Sequence, residues 1–330
     1  MSQTIALEDI YAPIEPQLQS VPAAILETVS GSNELAEDVI RYFFSAKGKL
    51  LRPAMTFLGA AVKDPGVACR DRLVRLGAAF EIFHGATLIH DDIIDSAYVR
   101  RNLPTVHIKW NPQIAVLVGD FLHDRAIGTI FEYGTPAITK LFLKTAGTVC
   151  DGEIHELKEK ENLALSEDDY FDIIDKKTAS LMACALASGA LLAGADDEEV
   201  EALKQFGHCF GIAFQIVDDC LDFTGSEHEF GKTLGADVAA GVLTLPLIRL
   251  LAAVEAEKKA EVCNVLRSEM TPEKLQMLLG WIREYDTLTY SFEKAREFSD
   301  RARNQLAIFD DTPAKGSLDR LLNYVLERNR

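Results

Sequence analysis

Two groups of aspartates carry the type and spacing that chemistry needs. Asp91, Asp92 and Asp95 end an apolar helical run that starts at Glu81, and Asp218, Asp219 and Asp222 repeat the pattern at the end of a second apolar run. On a helix, residues four apart share a face, so Asp91 and Asp95 project together while Asp92 is turned about 100° aside. Carboxylates this close repel one another, and at the rim of an apolar core they are costly unless paired or bound to a cation. Brought face to face, the two clusters would make an oxygen-lined site for divalent cations and for the anion those cations hold.

Six basic residues flank the clusters. Lys49 and Arg52 lie in Gly48-Lys49-Leu50-Leu51-Arg52-Pro53, where Pro53 marks the first turn of a helix and the cations are expected to precede its N-terminus. Arg100 and Arg101 follow the first cluster by one loop, Lys177-Thr178 opens a long apolar stretch, and Lys232 lies ten residues after Asp222. Any one of them alone reads as a solvated cation. Jointly they fit several phosphate groups held between Lys or Arg and Mg²⁺.

The elements that must position these groups are helices. Helical periodicity runs through nearly all of the 330 residues, with no convincing β-hairpin or alternating strand set. Breaks fall at Asp64-Pro65-Gly66, Asn102-Leu103-Pro104, Gly134-Thr135-Pro136, Asp196-Asp197, Gly225-Ser226-Glu227, Thr271-Pro272 and Thr312-Pro313. The segments between them, about 12 to 30 residues long, predict a large all-α helical bundle around a central cavity. No linker or composition shift divides the chain, so residues 1–330 read as a single domain.

A hydrophobic content of 48% supports a substantial core. The net charge of −17 argues against nucleic acid or an anionic membrane surface, so an anionic substrate must be met by locally placed cations or metal. The six cysteines are scattered without a CxxC pair and read as reduced thiols of a cytoplasmic protein, and no signal peptide is expected at the N-terminus. The uncharged stretch from Thr178 to Ala195 is rich in small residues and predicts a buried core helix rather than a membrane span.

Taken in order, Gly48-Lys49-x-x-Arg52-Pro53, His84, Asp91-Asp92-x-x-Asp95, Arg100-Arg101, Gly119-Asp120, Lys177-Thr178, Phe214-Gln215, Asp218-Asp219-x-x-Asp222, Gly231-Lys232, Gly235-Ala236-Asp237 and Thr244-Leu245-Pro246 resemble the motif set of the trans-isoprenyl diphosphate synthases, in the polyprenyl synthetase family. The match runs from about residue 45 to 250, with Tyr324-Val325-x-x-Arg328 similar at the end. The resemblance implies three Mg²⁺ ions bridging both aspartate clusters to an allylic diphosphate that Arg100, Lys177 and Lys232 also grip. It implies isopentenyl diphosphate on Lys49, Arg52, His84 and Arg101, with Arg328 as an addition, and a homodimer. Lys177, Thr178 and Gln215 resemble the catalytic groups, Thr178 and Gln215 stabilising an allylic carbocation with oxygen dipoles.

Under that resemblance the helix leading to Asp91 also walls the growing chain. Thr87 and Ala86, four and five residues before Asp91, are small, which argues against a fifteen-carbon limit and for a product of twenty carbons or more. Phe83 sits one turn deeper, about 5.4 Å further along the helix, and is a candidate floor, with His123 a candidate at the tunnel's far end. Two positions depart from the family pattern: Asn102 stands where a glycine commonly follows the arginines, and Val242 where a lysine often precedes Thr-Leu-Pro. His90, His107, His155, His208 and His228 read as structural, since imidazole is a poor ligand for Mg²⁺. Three rival readings fit the residues less well. A phosphohydrolase leaves the second cluster unexplained, a terpene cyclase has no use for an isopentenyl site, and a non-catalytic subunit of a heteromeric synthase typically lacks one cluster.

Overall fold

Helix starts follow caps written in the sequence. Thr135-Pro136 and Thr271-Pro272 each combine a side-chain N-cap with proline in the first turn, and Asn33, Asn111 and Ser166 cap three further helices by accepting a backbone N–H. The computed structural model describes residues 6–31, 33–46, 48–66, 70–224 and 235–327. Lys232, Gly231, Arg328, Cys69 and His228 lie outside the described residues. The helices are α1 (Leu7–Tyr11), α2 (Glu15–Val29), α3 (Glu34–Ser45), α4 (Leu51–Lys63), α5 (Arg70–Ile94), α6 (Val106–Lys109), α7 (Pro112–Tyr133), α8 (Pro136–Glu159), α9 (Glu167–Ile174), α10 (Ser180–Leu192) and α11 (Asp197–Thr224). Helices Ala236–Ala239, Leu245–Ala253, Ala256–Leu266, Pro272–Glu284, Thr287–Gln305 and Pro313–Glu327 complete the bundle.

The all-α expectation is met. Helix α10 runs through the middle, packed by α4, α11 and α8, and every residue from Ser180 to Ala190 is buried. The stretch from Thr178 is therefore core, and among the described residues no helix is long and apolar enough to cross a membrane. Around α10, α5 lies against α7, and α11 lies against Thr287–Gln305.

Three local features differ from the sequence expectation. A two-residue hairpin, β1 (Val99–Arg100) with β2 (Leu103–Pro104), stands where no strand was expected. Its turn places Arg101 at φ 49° and Asn102 at φ 62°, the pair of positive values of a type I′ turn. Asparagine tolerates that region better than most residues, so Asn102 keeps a turn that glycine would also make. Arg52 lies inside the first turn of α4 rather than ahead of it, because the helix begins at Leu51. The third difference is a π-helical turn, Asp175–Ala179, between α9 and α10.

Candidate active site

Both aspartate clusters sit at helix C-termini, Asp91 and Asp92 in the last turn of α5 with Asp95 just beyond it, and Asp218, Asp219 and Asp222 in the last two turns of α11. The helix dipole is negative there, so carboxylates in these places are disfavoured unless cations join them. Arg100 supplies one such cation: its Nε donates to Asp92 Oδ1 at 2.7 Å, and Asp92 is only 2% exposed. In the second cluster, Asp222 accepts the backbone N–H groups of Ala236 and Asp237 at 3.1 and 3.2 Å, which ties the returning chain to α11.

The π-helical turn brings Lys177 and Thr178 between the two clusters. Alanine at Gly152 on α8 would place its Cβ 2.7 Å from the Lys177 nitrogen, and alanine at Gly211 on α11 would meet the Ala179 Cα at 2.4 Å. Two glycines thus let both helices press on the widened turn. Lys176 is taken by Asp151 and Asp172 at 2.9 and 2.8 Å, whereas Lys177 reaches Glu153 at 3.0 Å and Glu156 at 2.5 Å. Burial alone would lower the Lys177 ammonium, but Glu156, Glu153 and Asp91 outweigh it and hold the group charged. Thr178 Oγ1 donates to Gln215 Oε1 at 2.9 Å, and Gln215 Nε2 donates to Asp219 Oδ1 at 2.8 Å.

Part of this set lines one cavity of about 760 Å³, to which the first cluster contributes Asp95 and the second Asp219, while Asp91, Asp92, Asp218 and Asp222 are not among its lining residues. Asp95, Arg100 and Arg101 line it from the first cluster's side, Gln215, Asp219 and Asp237 from the second, and Lys177 and Thr178 from the π-helical turn. Leu165, Ile173, Ile174, Val242 and Leu243 complete an apolar wall, so the departure at Val242 puts a methyl surface where a lysine would contact an anion.

The carboxylates outweigh the protein's own cations here. Burial pushes Asp91 up to about 6 despite Lys177 and Arg100, and Asp95 and Glu156 add to the rise. Burial, with Asp237 beside it, raises Asp219 well above the usual carboxylate range, against the hydrogen bonds of Tyr170 and Gln215. Burial likewise brings Glu153 up to about 7, opposed by Lys177 and reinforced by Asp91 and Glu156. An excess of buried oxygen donors fits hard divalent cations. Among the described residues no three His, Cys, Asp or Glu side chains converge as a ready-made ion site. Mg²⁺ commonly takes one or two carboxylates and completes its shell on substrate phosphates and water.

A second group of cations gathers where α4, α5 and the hairpin meet. Gly48 leaves room for the Arg101 guanidinium, whose Nη1 would lie 3.0 Å from a Cβ there, and Arg101 also donates to the Ala46 carbonyl at 3.2 Å. Burial lowers Arg52 to about 10 against the pull of Glu81, and its buried Nε has no hydrogen-bond partner. Lys49 lies 5.8 Å from the ring centre of Tyr324, and its carbonyl accepts from Tyr11 Oη at 3.0 Å. Burial, then Arg52, Arg101 and Arg100, push His84 well below its usual range. A neutral His84 among arginines suits a pocket that takes an anion through hydrogen bonds.

The depressed His84 also sets a pH dependence. The unfolded chain protonates this ring near pH 6.5 and the folded chain does so only at lower pH, so the unfolded state binds more protons as pH falls and stability drops. Relative to His84→Asn, the wild type should lose about 1 kcal/mol of unfolding free energy between pH 7 and 5.5. Urea unfolding of both proteins at the two pH values measures this. An identical pH response would show that His84 titrates normally.

The candidate wall residues also come together. Phe83 is 1% exposed, with its ring centre 5.2 Å from His123 and 5.1 Å from Phe142, and Ala86 is buried one turn above. Thr87 Oγ1 is satisfied by the His84 carbonyl at 2.9 Å. The remaining described histidines have structural partners. His90 lies 3.2 Å from the Val116 carbonyl on α7, His107 3.2 Å from Thr105, His155 3.2 Å from Asp172 and His208 2.7 Å from Asp175.

Sequence reasoning missed Tyr170, Glu81, Glu156 and Tyr11 as site groups, and quoted Asp237 in a motif without giving it a role. Glu81 could have been found, since it is three residues before His84, on the same helix face, in an otherwise apolar run. An aromatic such as Tyr170, on a short helix that mixes acidic and apolar residues, gives no such signal.

The model of the polyprenyl synthetase family matches residues 33–280. The chain is 32% identical over 333 residues to a geranylgeranyl diphosphate synthase of Saccharolobus solfataricus, covering 98% of this chain and 99% of that one. It is 32% identical over 325 residues, 97% of this chain and 98% of the other, to an all-trans-nonaprenyl-diphosphate synthase of Rhodobacter capsulatus described as specific for geranyl diphosphate. A crystal structure of a polyprenyl synthase from Caulobacter crescentus, complexed with calcium and isoprenyl diphosphate, superposes with a TM-score of 0.93 at 30% identity over 100% of both chains. An all-α bundle enclosing two carboxylate clusters and two sets of cations defines a prenyltransferase that elongates isoprenyl diphosphates. The chain belongs to the polyprenyl synthetase family.

Proposed function

We propose that the chain condenses isopentenyl diphosphate with an allylic diphosphate in the trans, 1′-4 sense, releasing diphosphate and a chain of twenty carbons or more. The observation that supports this best is the single cavity that Asp95 and Asp219 share with Arg100, Lys177, Thr178 and Gln215. Asp91, Asp92 and Asp95 from one helix, and Asp218, Asp219 and Asp222 from the other, would hold three Mg²⁺ ions. When bound, these ions would neutralise the allylic diphosphate and make it a better leaving group. Arg100 and Lys177 grip that diphosphate, with Lys232 assigned to it from the sequence pattern. Lys49, Arg52, His84 and Arg101 hold isopentenyl diphosphate, and the unpartnered Nε of Arg52 is a donor waiting for such an anion.

The allylic C–O bond ionises, the isopentenyl double bond attacks the resulting cation to form the new C–C bond, and a proton passes to the departed diphosphate. Thr178 and Gln215 turn oxygen dipoles toward the cation. The leucine, isoleucine and valine wall excludes water that would quench it. Phe83, with His123 and Phe142, closes the space below Ala86 and Thr87 and limits product length.

Exposed apolar side chains on α7 and α8, among them Leu117, Phe131, Leu143 and Ile154, support a homodimer. The described cysteines are free thiols, as a reducing cytoplasm would keep them. Purified protein given Mg²⁺, isopentenyl diphosphate and allylic primers of several lengths should extend them. EDTA should stop extension and added Mg²⁺ should restore it. No extension with any primer would overturn the proposal, and phosphate release from simple phosphoesters without isopentenyl diphosphate would favour a hydrolase instead.

A further inference from the structure

Asp219 has both carboxylate oxygens occupied. Tyr170 Oη donates to Oδ2 at 2.6 Å, and Gln215 Nε2 donates to Oδ1 at 2.8 Å. Tyr170 and Asp219 are 3% and 4% exposed, so solvent offers neither a ready substitute partner. With both of its oxygens accepting, the carboxylate leaves the Gln215 amide one orientation, nitrogen toward Asp219 and oxygen toward Thr178. Thr178 must then give its only proton to Gln215 Oε1, 2.9 Å away, and keeps its lone pairs for another neighbour. The direction of every bond in the row Tyr170, Asp219, Gln215, Thr178 is set from the carboxylate, and all four residues line the cavity.

We propose that Tyr170 is a positioning residue of the elongation reaction: its buried hydroxyl fixes the Asp219 carboxylate, which orients the Gln215 amide and so aims the oxygens of Gln215 and Thr178 at the reacting carbon. Phenylalanine at 170 fills the same space and deletes only that donor. The carboxylate can then swing about its Cβ–Cγ bond, and the amide loses the partner that holds it in one orientation. The inference rests on the prenyltransferase reading above.

Three measurements test it, beginning with wild-type elongation activity, whose absence with every primer would overturn the reading itself rather than the role of Tyr170. In Tyr170→Phe, kcat should fall about 10- to 100-fold, the scale on which removing a partner that orients a metal ligand acts, while KM for both substrates changes by less than about threefold. By calorimetry, Mg²⁺ should bind the variant about tenfold more weakly than wild type in the presence of inorganic diphosphate. In the cycle with Gln215→Ala the two losses in kcat should be strongly non-additive, because both act through one row of bonds. A kcat within twofold of wild type, or fully additive losses with unchanged Mg²⁺ affinity, would overturn the assignment. If Tyr170→Phe does not fold, Tyr170→Met, which also lacks the hydroxyl, carries the same test.

Discussion

Asparagine at position 91 should lower kcat for chain elongation by about 10²- to 10³-fold and leave the fold intact. Asp91 points from the last turn of α5 toward Lys177, and the substitution keeps its shape while removing one negative charge. Its neighbour does not substitute for it: Asp92 is turned about 100° aside on the helix, and one of its two oxygens already accepts from Arg100 at 2.7 Å. The variant should unfold at the same temperature as wild type or a higher one, because it removes an anion from the negative end of a helix and from a site crowded with Asp95 and Glu156. Opposite changes in rate and stability are the mark of a charge kept for catalysis. Steady-state incorporation of isopentenyl diphosphate, set beside a thermal melt, measures both. Elongation within tenfold of wild type would remove Asp91 from the metal-binding set.

Alanine at position 83 should lengthen the product by at least one isoprene unit and destabilise the protein by about 3 to 5 kcal/mol. Phe83 is fully packed between His123 on α7 and Phe142 on α8, and Phe142 in turn meets Phe80, with ring centres 5.5 Å apart. Truncation opens a ring-sized void directly below Ala86 and leaves the aromatic layer of Phe142 and Phe80 in place, so the gain in length is bounded. The two relatives, at equal identity, are named for geranylgeranyl and nonaprenyl products, so overall similarity does not fix the length and a local ruler is needed. Product chromatography at a temperature where the variant remains folded reads the outcome. An unchanged product distribution would exclude Phe83 as the floor.

Much of the fold and of the site was legible in the sequence because it rests on periodicity and on charge. Thr-Pro and Asn caps fixed helix starts, and two triplets of aspartates after apolar runs marked the facing helix ends. Less legible were features that depend on a single residue's backbone. The hairpin that presents Arg100 and Arg101 has strands of two residues each, too short for alternation to register. The groups that hold the site residues, such as Tyr170 on Asp219 or Glu153 and Glu156 on Lys177, lie 49, 24 and 21 positions from their partners and meet only after α8, α9 and α11 have packed.

The π-helical turn at Asp175–Ala179 acts as a phase shift in an otherwise continuous rod. One extra residue in a turn rotates everything beyond it by about 100° relative to an uninterrupted α-helix. Upstream, α9 turns Tyr170, Ile173 and Ile174 to the cavity; downstream, α10 buries residues on every side. The shift lets one stretch of chain serve as a wall of the reaction chamber and then as the axle of the bundle. It also sends two adjacent lysines to different duties, Lys176 to surface carboxylates and Lys177 to the reaction centre. Shortening that turn by one residue would leave the amino-acid types of the site untouched and still dismantle it, because no rotation of α10 could satisfy the core and the chamber at once.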